Sequence, residues 1–80
     1  MPRNIVGPQI RKIRYEHELT QEMLAARCGV RGLNISRGTL SKIEAQLRCV
    51  TDSDLEVLAE SLEVRISSLF PPKQVRKKGG

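Results

Sequence analysis

The sequence predicts an all-α fold, a compact bundle of four to five short helices, and three observations predict it. Apolar residues recur at intervals of three and four and almost never alternate, which is the period of helices and not of strands. The 39% hydrophobic fraction is carried by Leu, Ile, Val and Ala, with one Tyr, one Phe and no Trp, as suits an aliphatic helical core. Eighty residues supply one modest core and leave no room for a second folded unit beside it.

Each element has its own signals. Pro8 sits where a first-turn N–H would be unpaired, and Val6, Ile10, Ile13 and His17 fall at helical spacing, so a first helix is expected from about Pro8 to His17. Thr20 is an N-cap residue, and Gln21 opens a second helix with Leu24 and Cys28 on one stripe. Gly29 and Gly32 can each supply the left-handed residue that closes it. Gly32 is preferred, carrying the helix to about Arg31, because a stop at Gly29 leaves a longer irregular link. Leu33-Asn34-Ile35 then forms the turn, and Ser36 caps a third helix that runs to about Gln46 with Leu40, Ile43 and Leu47 inward. Gly38 in its first turn costs about 1 kcal/mol of propensity relative to Ala, which points to another reason for a small residue there. Thr51-Asp52-Ser53-Asp54 concentrates capping groups before a fourth helix marked by Leu55, Leu58, Ala59 and Leu62. A short fifth helix from about Ile66 to Phe70 closes the core with Val64, Ile66, Leu69 and Phe70, and Pro71-Pro72 forbids its continuation. Residues 1–70 thus read as the folded domain and residues 71–80 as a basic, disordered tail.

Charge and composition narrow the function. A formal net charge of +5 and a pI near 9.8 create a field that attracts polyanions. No apolar run approaches the roughly 20 residues of a membrane span, and the start of the chain lacks the apolar segment of a secretory signal, so a cytoplasmic location is expected. Cys28 and Cys49 are expected as reduced thiols. His17 is the one histidine, and without a ligand cluster no metal or other cofactor is expected. An enzyme lacks its parts here: there is no nucleophile elbow and no phosphate-binding glycine loop.

The motifs then line up. Ile10-Arg11-x-x-Arg14 is followed by Leu19-Thr20-Gln21-Glu22-x-Leu24-Ala25, by Ile35-Ser36-Arg37-Gly38-Thr39-Leu40-Ser41-Lys42-Ile43-Glu44, and by Leu55-x-x-Leu58-Ala59-x-x-Leu62-x-Val64. This order closely resembles the Cro/repressor-type, or Xre, helix-turn-helix family from about Val6 to Phe70. One departure is the link from Gly29 to Ser36, longer than in the simplest members of the family.

The resemblance implies a lambda-repressor-like fold and a sequence-specific regulator of transcription, of the repressor kind, that binds double-stranded DNA. It implies that Arg37, Gly38, Ser41 and Lys42 face the major groove from the third helix. Arg and Lys can reach guanine O6 and N7, and Ser can donate or accept. Thr20 and Gln21, at a helix N-terminus whose free N–H groups favour anions, are expected to grip phosphate. Ser36, Thr39 and Arg48 are assigned to phosphate as well. Arg14 and Glu44 match family positions whose side chains pair between the first and third helices, a structural role. The basic tail, with Lys73, Arg76, Lys77 and Lys78, adds either non-specific backbone contacts or only solubility.

Two other functions compete with this one. The same fold can host a protein-binding module, such as an antitoxin for a toxin partner or a bridging factor. An RNA reader would need aromatic stacking platforms, which Tyr15 and Phe70 do not make. A homodimer on paired half-sites is compatible with the family, while nothing in the residues themselves proves it.

Overall fold

The computed structural model describes residues 1–72. Its elements are α1 (Gly7–Glu16), α2 (Gln21–Val30), α3 (Arg37–Glu44), α4 (Asp52–Leu62) and a single 3-10 turn over Ile66–Leu69, and no strand occurs among the described residues. Helix α1 packs on α3 and on the 3-10 turn, and α2 packs on both α3 and α4.

Side chains start the helices as the sequence suggests. Thr20 accepts from the Met23 N–H at 3.0 Å, and Ser36 accepts from the Thr39 N–H at 3.1 Å. Thr51 and Asp54 form a reciprocal capping box. Caps of this kind contribute about 1 kcal/mol each. Before α1 the cap comes from further back, where Asn4 Oδ1 accepts from the Gly7 N–H at 2.8 Å.

All four helices end in the same way. Glu18, Gly32, Gln46 and Glu63 take positive φ, and the next residue in each case donates its N–H back over the last turn: Leu19 to Arg14, Leu33 to Cys28, Leu47 to Lys42 and Val64 to Ala59. This pairing is the Schellman motif, which satisfies carbonyls a helix end would otherwise leave open. For α2 the expected stop at Gly32 is observed, with φ +92°, and Arg31 is the C-cap.

The core gathers Val6, Ile10, Ile13, Leu19, Leu24, Cys28, Leu40, Ile43, Leu58, Ala59, Leu62 and Leu69. Four expected members do not belong to it. Leu47 is exposed because α3 ends at Glu44, not Gln46, and the left-handed Gln46 turns the chain off the helical stripe. Ile66 and Phe70 are exposed because the fifth element is one 3-10 turn that aims Leu69 alone inward, and Phe70 leaves it extended, at φ −91° and ψ 152°, the conformation favoured before proline. His17 is the exposed C-cap of α1 and lies outside the stripe. Cys28 is buried and Cys49 exposed, both as free thiols, and burial pushes the Cys28 thiol above its ordinary pKa. No helix among the described residues is long and apolar enough to cross a membrane. The tail expectation lies, from Lys73 onward, outside the described residues.

Candidate nucleic-acid interface

Two buried charges hold α1, α2 and α3 together. Arg14 Nε donates to Glu44 Oε2 at 2.7 Å and Arg14 Nη2 to Glu44 Oε1 at 3.0 Å, a two-pronged pair of the kind expected from the sequence. The third guanidinium nitrogen, Nη1, donates to the Leu19 carbonyl at 2.9 Å. The side chains are only 7% and 4% exposed, so each charge depends on the other for its solvation. The hydrogen bond to Glu44 is also the main reason the Arg14 pKa lies above its ordinary value.

Gln21 belongs to this network. Its Nε2 donates to Glu44 Oε1 at 3.0 Å, which ties the start of α2 to the end of α3. Gln21 is expected at phosphate, and nothing in the spacing of residues 21 and 44 announces this bond to Glu44.

Tyr15 was also missed. Arg14 lies 4.7 Å and Arg11 5.6 Å from its ring centroid, two cation–π contacts to one ring. The two cations, Arg11 first, hold the Tyr15 phenol below the usual tyrosine pKa. The periodicity of α1 places Arg11 and Tyr15 one turn apart, which is the only hint the sequence offers.

Between α1, the start of α2 and α3 lies an open cleft of about 940 Å³ whose walls include Arg11, Tyr15, Thr20, Gln21, Arg37 and Ser41. Glu18 and Glu22 stand on its lining as well. Arg37, Gly38, Ser41 and Lys42 are all exposed on α3, while Leu40, Ile43 and Glu44 are buried. At about 100° per residue, the free face runs in the order Arg37, Ser41, Ala45, Gly38, Lys42 over an arc of about 140°. Arg37 and Lys42 are thus its two edges, and its middle is made of small residues.

The remaining candidates are placed differently. Thr20 and Ser36 are exposed with their hydroxyls engaged as caps. Thr39 is half-buried, and its Oγ1 accepts from Ser36 Oγ at 3.2 Å. Arg48 is exposed in the turn after α3. A Cβ on Gly38 would meet nothing closer than Ser36 Oγ at 3.7 Å, so no internal contact requires the glycine.

A family model described as helix-turn-helix matches residues 10–69. Among solved structures, the fold is similar to the restriction-modification controller protein C.AhdI from Aeromonas hydrophila, with 28% sequence identity and a TM-score of 0.72, over 81% of this chain and 87% of that one. No curated protein matches the sequence.

Proposed function

The chain belongs to the Cro/C1-type helix-turn-helix family and is a DNA-binding transcriptional regulator, and from that premise we propose that it represses transcription by reading the major groove with α3. The observation that carries this reading is the free face of α3, two cations flanking a middle of Gly38, Ser41 and Ala45. The major groove is about 12 Å wide, and a helix whose outward side chains are small can bring its backbone close to the base edges.

In this reading Arg37 and Lys42 contact bases from the two margins of the face, Ser41 from its centre, and Gly38 permits the approach. Thr20, Gln21, Ser36, Thr39 and Arg48 face phosphates and fix the register. The Arg14–Glu44–Gln21 network sets the angle between α2 and α3, and so decides which bases the α3 face meets. No chemical step and no cofactor enters this function. Residues 71–80 add non-specific attraction.

Two copies would read paired half-sites. The exposure of Ile5 (56%), Ile66 (39%) and Phe70 (36%) supports a self-association surface. Ile5 and Phe70 both line an open cleft of about 790 Å³ on the side of α1 that carries Ile13 and His17.

Selection of bound sequences from random duplex DNA, at one fixed salt concentration, tests the reading. A two-fold-related motif is expected; recovery of no preferred sequence would contradict it.

A further inference from the structure

Residues 3 and 4 cross the turn that follows α3 and are fastened to it, although 39 to 44 positions separate Asn4 from its side-chain partners there. Arg3 N donates to the Gln46 carbonyl at 2.9 Å. Asn4 Nδ2 donates to the Ile43 carbonyl at 3.1 Å and to the Arg48 carbonyl at 2.8 Å. Gln46 Nε2 returns a bond to the Asn4 carbonyl at 2.9 Å. With Oδ1 accepting from Gly7 N, both donors and the acceptor of the Asn4 amide are in use.

Gly7 allows this closeness: a Cβ there would collide with the Ile43 carbonyl oxygen and stand 2.8 Å from that of Glu44. The clasp therefore fixes the backbone of Arg3 and that of Arg48 on one turn. Both arginines are exposed, and the ion pairs among the described residues involve Arg14 and Arg31 instead. Arg11 and Lys12 face the same turn across a cleft they share with Ala45 and Gln46. Of the acids lining that cleft, Glu44 is committed to Arg14, and Glu16 is exposed.

Orientation gives this turn its position. Helix α3 has 8 residues and is therefore about 12 Å long. A recognition helix meets base edges with its leading residues, and in a groove about 8.5 Å deep a helix of this length has its trailing end at the rim, beside a sugar-phosphate strand. The leading end has the start of α2 beside it. The trailing end has the Asn4 clasp.

We propose that Arg3 and Arg48, held on one turn by Asn4, form a second grip on the DNA phosphates at the trailing end of α3, with Asn4 as its positioning residue. This rests on the reading of α3 as the groove-entering helix. The grip is blind to sequence, because phosphates are the same at every step.

The test is duplex affinity of the full chain across a range of salt, on a selected site and on random DNA. Arg3→Ala and Arg48→Ala should each lower the steepness of log affinity against log salt by about one unit, equally on both duplexes. Arg3→Lys should restore the slope. Asn4→Ala should lower it by more than Arg3→Ala does, since it releases both arginines. An unchanged slope for Arg3→Ala, alongside a lost preference in Arg37→Ala, overturns the grip and leaves the α3 reading standing. Silence of both variants overturns the two together. Because the Arg3 side chain is exposed, its variants decide the question even if Asn4→Ala fails to fold.

Discussion

At Arg14, three hydrogen bonds and one aromatic ring enclose a single guanidinium. Removing it would leave the Glu44 carboxylate buried with only the Gln21 amide as partner. Arg14→Ala should therefore destabilise the fold by about 3 kcal/mol, the cost of stranding one member of a buried pair. Thermal unfolding of Arg14→Ala, Glu44→Ala and the double variant checks this, with the double variant expected to lose far less than the sum. Tyr15 offers a second measurement on the same network. It is the only tyrosine, and Trp is absent, so an ultraviolet titration reports this phenol alone. Ionisation should begin below the usual tyrosine range, near 10, because Arg11 and Arg14 favour the phenolate. Arg11→Ala should move it upward. The pair itself was legible from the family pattern, whereas Gln21, Tyr15 and Asn4 were not, because their partners are set by tertiary approach and leave no mark in local spacing.

Among the elements, starts were easier to read than ends. Thr20, Ser36 and Thr51 announce their caps by side-chain chemistry, and each one caps where expected. Ends are announced by glycine, and only Gly32 among the four left-handed closing residues is one. Glu18, Gln46 and Glu63 adopt a conformation that costs roughly 1 to 2 kcal/mol for residues with a Cβ, so local preference argues against the ends that the folded chain imposes. That is why α3 reads two residues too long and Leu47 falls on the wrong side. Two glycines give opposite tests of this packing. Gly38→Ala should stabilise the free protein by about 1 kcal/mol, since a Cβ there meets only ordinary contact, while weakening duplex binding if the small middle of α3 enters the groove. Gly7→Ala should destabilise by about 2 kcal/mol or more, because the added carbon meets rigid backbone carbonyls of α3. Thermal midpoints of the two variants should move in opposite directions.

Over the whole molecule, the path from sequence to function runs through one helix. The fold class was legible because a 3.6-residue period and caps recur throughout, whereas the excess of positive charge only favoured polyanions in general and the motifs had to narrow them to DNA. The exposed Ile66 and Phe70 were not legible as surface, since apolar residues at a chain's end look the same whether they close a core or meet a second copy. Base reading by α3 through its exposed edge is decided by the affinity of Arg37→Ala for its selected site and for random duplex, measured at several salt concentrations. Loss of a bidentate base contact should cost roughly 1 to 3 kcal/mol on the selected site and much less on random DNA, so the ratio between them falls. Equal weakening on both duplexes would mean that Arg37 meets only phosphate, and that α3 does not read sequence through this edge.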